Sequence, residues 1–363
     1  MATETRSIGS GGGRDYSTIA AWDADLNNAT EYPSNPDIVG ELYNDASFPN
    51  DYFDIINCTT SNPTSITLRP ATGEGHDGTE GTGARIVMTA DYTANIGIYS
   101  DPGTVIDGLE IDGGGFHASS GDRIGFECNA TTVGSIVKNC MVHDGGDPAE
   151  TTSLAGFIAF DSASMRATWQ NCLAYELVKN AGGSRVGIGF NANHTGVAPV
   201  DAYFCTVHNI VTAISTDNTH GFRFGNNAAK EIKNCISIGV SNADFTVGAS
   251  CDESHNMSSD ATAAGTGSLT TKTAANTFVA TGASPDYHLK AGNEAEDAGT
   301  PITGITTDVD GDTRDVTTPD MGWDEFVAAG GGGFTKVING VSTYTSINGV
   351  AASGIASVNG VAA

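Results

Sequence analysis

Three acidic residues alternate in the stretch VIDGLEIDGGG: Asp107, Glu110 and Asp112. Two carboxylates held on one outer face are what sugar-cleaving chemistry requires, one to give a proton and one to act as nucleophile or base. A second set lies in successive segments further on: His143 beside Asp144, Tyr175 beside Glu176, and His208. If these rings stack beside acids they form a strip on which a sugar can lie, which makes His143, Tyr175 and His208 the candidate glycan-binding positions. The chain holds 43 acids, so neighbours of this kind also arise as plain solvated side chains. A third set, Asp308, Asp310 and Asp312 in DVDGD, offers oxygen ligands to a hard cation such as calcium. It lacks the distal Glu of an EF-hand loop, and an Asp/Gly turn that bonds its own backbone is the simpler reading. No other cofactor is called for. A lyase would use Lys or Arg as base, and Arg69, Arg85, Arg123, Arg166, Arg185 and Arg223 share no column in the sequence.

These positions need a scaffold, and the cysteines reveal its period. Cys140, Cys172, Cys205 and Cys235 stand 32, 33 and 30 residues apart, three of them preceded by Asn. Alignment on Cys superposes Val137, Trp169, Ala202 and Ile232 before it and Val142, Ala174, Val207 and Ser237 after it. Upstream, Phe126, Phe160, Phe190 and Phe224 recur at similar steps. Each repeat thus holds at least two short strands, punctuated by Gly, Asn, Asp, Ser and Thr. A unit of that size cannot bury its own apolar face and must stack on its neighbours. With no amphipathic run of ten or more residues in the repeat, the fitting architecture is a parallel β-solenoid. Its strands are spaced about 4.8 Å apart, its thiols line an inner column and its Asn side chains form an amide ladder at a turn. Nine or ten coils give a rod about 45 Å long. Cysteines at stacking intervals suit core packing; metal binding would want pairs such as C-x-x-C.

The chain of 363 residues carries 16 basic against 43 acidic residues, a net charge of −27. That field repels phosphates and argues against nucleic-acid binding. No apolar run reaches membrane-span length. The start, MATETRSIGSGGG, lacks the pattern of a secretory signal, and an odd number of cysteines at stacking intervals suggests thiols kept reduced in a cytoplasm. Four regions are expected: a flexible leader over 1–14, a capping helix over 15–30, the solenoid over 31–326 and a tail over 327–363. In the helix, Ser17 or Thr18 is the cap, and Ile19, Trp22 and Leu26 share one face.

The closing part of the solenoid resembles that of right-handed parallel β-helix proteins of the pectate-lyase-like superfamily. The resemblance rests on Pro285 to Leu289, Asp297 to Gly299, Asp310, Gly311, Arg314, Pro319, Asp320, Gly322 and Glu325. Trp323 and Asp324 depart from the usual Ala-Tyr before the Glu, and GRDYSTIAAW is similar to the superfamily's capping helix. The resemblance implies an all-β, single-stranded right-handed parallel β-helix with an N-terminal capping helix. It leaves function open, since lyases, hydrolases, adhesins and viral spikes share the fold.

The tail opens on a run of four glycines and carries Ile338-Asn339-Gly340, Ile347-Asn348-Gly349 and Val358-Asn359-Gly360. Asn-Gly between β-branched residues signals a type I′ hairpin, and the short repeats resemble those of bacteriophage structural proteins. The expectation is a structural virion component, an appendage, decoration or spike. It would be made in the host cytoplasm, exposed on the particle, and joined through its tail to other virion proteins or to copies of itself. Its β-helix would face host polysaccharide. The alternatives are a polysaccharide lyase or hydrolase for the rod, and a disordered end for the tail.

Overall fold

The computed structural model describes the chain except residues 1–2, 33–34, 50–57, 59–62, 89–95, 99–102, 115–124, 129–133, 146–153, 160–165, 180–186, 194–198, 213–218, 227–229, 328–345, 348–349, 352–356, 359–360 and 363. Two units result, Met1–Glu325 and Phe326–Ala363.

The first unit is a parallel β-helix with three sheets of nine, eight and six strands; the right-handed crossover is the hand that twisted parallel strands adopt. The first sheet stacks Thr3–Ile8, Asp37–Leu42, Ser65–Pro70, Gly103–Asp107, Ser135–Lys138, Ala167–Gln170, Val200–Tyr203, Lys230–Lys233 and Cys251–Ser254. At the usual strand spacing it runs about 40 Å. The second sheet includes Arg85–Val87, Glu110–Asp112, Met141–His143, Leu173–Tyr175, Thr206–His208 and Ile236–Ile238. The third includes Phe126–Cys128, Leu154–Ala159, Gly187–Ala192, Thr219–Phe224 and Ala243–Val247.

The Asn-Cys pair sits at the corner between the first and second sheets. Asn139, Asn171 and Asn234 take φ of 52°, 48° and 60°, a left-handed conformation that Asn tolerates better than most residues. The next residue turns inward, and Cys140, Cys172, Cys205 and Cys235 are fully buried. Their thiols reach back to main-chain carbonyls, Cys140 Sγ to Lys138 O at 3.1 Å and Cys172 Sγ to Gln170 O at 3.2 Å. Lys138 O also accepts from Gly108 N and Gln170 O from Asn139 N, so the thiol is a second, weak donor to a carbonyl that the corner leaves within reach. The expected columns form in register: Val137 with Trp169 and Ala202 with Ile232 in the first sheet, Val142, Ala174, Val207 and Ser237 in the second.

The phenylalanine column differs from expectation. The rings that stack are Phe126, Phe157, Phe190, Phe222 and Phe245, with centroids 5.3, 4.5, 4.8 and 5.0 Å apart. Phe224 instead pairs in register with Ala192 and packs edge-on to Trp169, and Phe160 lies outside the described residues. The segments GFIAF and GFRF each hold two phenylalanines, which makes the spacing ambiguous, and the preceding glycine resolves it. At Gly156, Gly189 and Gly221 a Cβ would come within 3.1 Å of Ala174 Cβ, 2.6 Å of Val207 Cγ2 and 2.0 Å of Ser237 Oγ. At these three coils the third sheet approaches the second closely because the residue before the stacked Phe has no side chain.

Helix Ile19–Asp25 closes the first coil, with Thr18 Oγ1 accepting from Ala21 N at 3.1 Å. Ile19, Trp22 and Leu26 are buried, and Gly40 lies so close to the Trp22 ring that a Cβ would meet it at 2.9 Å. The leader corrects the expectation of a flexible segment: Thr3–Ile8 pairs in parallel with Asp37–Leu42. The reason is local, since TETRSI alternates β-branched and charged residues, and Arg6 links outward to Glu4 and Glu31.

At the other end, the chain after Ala274 returns along the second sheet. Phe278–Ala280 and Asp286–Leu289 pair antiparallel. Tyr287, Met321 and Trp323 are buried, Trp323 N donates to Thr206 Oγ1 at 3.1 Å and Gly322 N to Asn234 O at 2.7 Å. Arg314 lies across the first corner, 3.9 Å over the Phe204 ring, donating to Asn171 Oδ1, Gly322 O and Trp323 O and pairing with Glu325. This strap covers the outer side of the second sheet, so Met141, Leu173, Tyr175 and Ile236 are buried although they point away from the coil interior. No helix among the described residues is long and apolar enough to cross a membrane.

In the second unit, Ser346–Ile347 pairs antiparallel with Val350–Ala351 and Ser357–Val358 with Val361–Ala362. Each pair is joined by two residues, Asn348-Gly349 and Asn359-Gly360, which themselves lie outside the described residues, as does Ile338-Asn339-Gly340.

Candidate functional site

The corner that follows the second sheet repeats the logic of the first. Asp144, Glu176 and Asn209 hold φ of 53°, 51° and 54°, and Gly239 follows at 81°. Their amides donate to the carbonyl before the equivalent residue of the next coil, Glu176 N to His208 O and Asn209 N to Ile238 O. Asp144 and Glu176 therefore occupy equivalent places on neighbouring coils, about 4.8 Å apart along the axis.

Behind them, His143 is fully buried between two carboxylates. Its Nε2 lies 3.0 Å from Glu110 Oε1 and its Nδ1 2.9 Å from Asp144 Oδ2. Burial alone would favour the neutral ring, but the two carboxylates outweigh it and hold the imidazolium up to a pKa of about 9. That cation, through its hydrogen bond, keeps the Asp144 carboxyl below its ordinary range. Glu176 moves the other way: partial burial, then its hydrogen bond to Asp144 and the repulsion of that charge, raise it. Neighbouring carboxyls driven apart in this way form an acid and a base.

Glu80 completes the corner. It comes from the loop between the strands Ser65–Pro70 and Arg85–Val87, and its Oε2 accepts from the Tyr175 hydroxyl at 3.3 Å. The same loop seals Glu110, whose oxygens accept from Gly81 N at 3.0 and 3.1 Å. Glu80 is exposed and Asp144 and Glu176 are half-buried, so three carboxyls line the accessible side of a buried cation.

The expected acids do not act as one set. Asp107 ends a first-sheet strand, accepts from Asn139 Nδ2 at 2.7 Å and pairs with Lys138 at 3.1 Å. Gly108, with φ of 70°, turns the chain away before Glu110. Glu110 is fully buried, and Asp112 binds Gly114 N at 2.9 Å. Only Glu110 enters the corner, as the partner of His143.

The rings do stack in register, His143 against Tyr175 at 4.9 Å and 8°, with His208 next. The open strip does not form. All three rings are buried, Tyr287 from the strap packs 4.6 Å from Tyr175, and its hydroxyl lies 3.0 Å from His208 Nδ1. Burial holds His208 near a pKa of 4, hence neutral. The accessible side of the column is its acidic edge, not the ring faces.

In the DVDGD turn, Asp308 accepts from Asp310 N and Asp312 N through Oδ1 and from Glu325 N through Oδ2. It ties the turn to the end of the strap. Asp310 faces elsewhere, 3.1 Å from His288 Nε2, while His288 Nδ1 lies 2.6 Å from Asp286. Among the described residues, two His/carboxyl sets bring donor atoms within 4.8 Å of one another: Glu80, His143 and Asp144, and His288, Asp310 and Asp324. In each, both imidazole nitrogens already face acids. Against burial, the acids raise His288 to about 10, so both rings are cations, and a cation must lose a proton before it can bind a metal. Sequence reading named Asp144 and Glu176 only as neighbours of rings. Their signal is an acid one place after the ring in successive coils; Glu80 carried none.

No family model and no curated protein matches the chain. Among solved structures, the pectate lyase Pel9A is similar at a TM-score of 0.38 and 15% identity, over 89% of this chain and 97% of that one.

Proposed function

We propose that the protein is a structural component of a bacteriophage particle, an appendage, decoration or spike, attached through Phe326–Ala363 and presenting its β-helix to host-surface glycans. The observation that carries this reading is the division of the chain into a capped and strapped rod and a separate unit of repeated short hairpins. Among the described residues all seven cysteines are free thiols, which fits folding in a reducing compartment. Removal of the chain after Gly330 should leave a folded rod that no longer joins the particle. Unchanged incorporation would overturn the reading.

A second reading is favoured by the Asp144–Glu176 pair: glycoside hydrolysis. Glu176, its pKa raised, is the proton donor to the glycosidic oxygen, and Asp144, held ionised by His143, is the base or nucleophile. New reducing ends from a polysaccharide, lost on Glu176→Gln, would support it; binding without cleavage would return the corner to recognition alone.

A further inference from the structure

The strap carries a cluster that neither reading of function uses. His288, Asp310 and Asp324 each bring a donor atom within 4.8 Å of the other two. They come from the strand Asp286–Leu289, the DVDGD turn and the residue before Glu325, so only the closed strap assembles them. The imidazole is fixed from two directions: Nδ1 lies 2.6 Å from Asp286 Oδ1, and the ring stacks on Trp323 with centroids 6.1 Å apart. A carboxylate on one ring nitrogen, orienting the other toward an ion, is the arrangement that metal-binding histidines adopt.

Nε2 is the unsatisfied end of that ring. It is buried and makes no hydrogen bond among the described residues, since Asp310 Oδ2, 3.1 Å away, does not meet it at a bonding angle. Asp324 is 4% exposed and accepts from Leu289 N through Oδ2 at 2.6 Å. Gly78 keeps the space beside Nε2 clear: a Cβ there would fall 2.3 Å from Nε2 and 3.5 Å from Asp310 Oδ1. Asp310 is exposed, so an ion and its waters can enter from that side. One nitrogen and two carboxylates suit a borderline divalent ion such as zinc better than calcium, which prefers an all-oxygen shell.

We propose that His288 Nε2, Asp310 and Asp324 form a zinc-type divalent cation site that pins the closed strap. It is distinct from the turn set of Asp308, Asp310 and Asp312, because Asp308 spends its oxygens on the amides of Asp310, Asp312 and Glu325. As the nitrogen–metal bond forms, Nε2 releases its proton to solvent, and the two carboxylates balance the charge of the ion. The site depends on neither the phage nor the hydrolase reading.

The experiment is calorimetric titration of the full chain, freed of metal by a chelator, with zinc chloride in millimolar calcium, which occupies plain surface carboxylates. One zinc per chain is expected, with a higher melting temperature when it is bound. Asp310→Ala, on the exposed side, should abolish binding while the metal-free chain stays folded, and His288→Gln should do the same to binding. Asp286→Asn keeps all three donors and should weaken binding by about 10–100-fold. Glu80→Gln, in the other histidine–carboxylate set, should change nothing. No saturable zinc binding by the wild-type chain, or binding that survives Asp310→Ala, would refute the proposal. Loss of binding on Glu80→Gln would place the ion at the other set and refute it equally.

Discussion

Asn171 Nδ2 donates to Asn139 Oδ1 at 3.0 Å, joining two coils 32 residues apart through their side chains. The chain of bonds continues at both ends with one polarity: Asn139 Nδ2 donates to Asp107 at 2.7 Å, and Asn171 Oδ1 accepts from Arg314 at 2.9 Å. A carboxylate closes one end and a guanidinium the other, so each amide has a defined orientation and the coils a defined register. The ladder stops at Phe204, which offers its ring to Arg314 instead.

Asn171→Ala should therefore cost more than one amide bond. It leaves Asn139 Oδ1 without its donor, takes away one of the three acceptors of Arg314 Nη2, and places Ala at a φ of 48°. Losses of about 1–3 kcal/mol for the orphaned group and about 1 kcal/mol for the backbone add to about 2–4 kcal/mol. Urea unfolding followed by circular dichroism measures it; a loss below about 1 kcal/mol would mean that the ladder is decoration.

Trp22→Ala tests the capping helix. The ring is fully buried against Gly40 and the first coil, so truncation should cost about 3–5 kcal/mol. The uncovered coil end should also bind a hydrophobic dye, and Thr18→Ala, which removes only the cap bond, should cost about 1 kcal/mol.

Gly189→Ala tests the contact of the second and third sheets. The new methyl meets Val207 Cγ2 at 2.6 Å, and overpacking of that kind costs about 1–3 kcal/mol. Val207→Ala in the same chain should return part of the loss. Additive losses would show that the two residues do not touch.

Stability should fall as pH rises from 6 to 10. His143 and His288 have folded pKa values of about 9 and about 10, above the ordinary His value, so their contribution is complete below about 6.5 and is lost as pH climbs through the folded values. Asp324, raised by burial to about 7, adds a loss of the same sign between about 4 and 7. Asp144, being lowered, contributes fully above the ordinary Asp value and falls away only in acid. Melting temperatures across this range check the sum, and His288→Gln should flatten the alkaline limb.

Much of the rod is written in the chain itself. The Asn-Cys corner, the register of Val137 with Trp169 and of Ala202 with Ile232, and the cap at Thr18 follow from local propensity or from a period near 30 residues. Each coil repeats the same constraint, so the pattern shows without coordinates. Even the misplaced phenylalanines had a local cue, the glycine before Phe126, Phe157, Phe190 and Phe222. Only the fold decided the site. Arg314 meets Asn171 across 143 residues and Trp323 meets Thr206 across 117, contacts with no period to announce them, and these bring the strap over the rings that spacing alone offers as a binding strip. Glu80 reaches Tyr175 from a loop 95 residues away. Stacking energies repeat along a sequence; the burial and charge that tune Asp144 and Glu176 depend on what a distant segment covers.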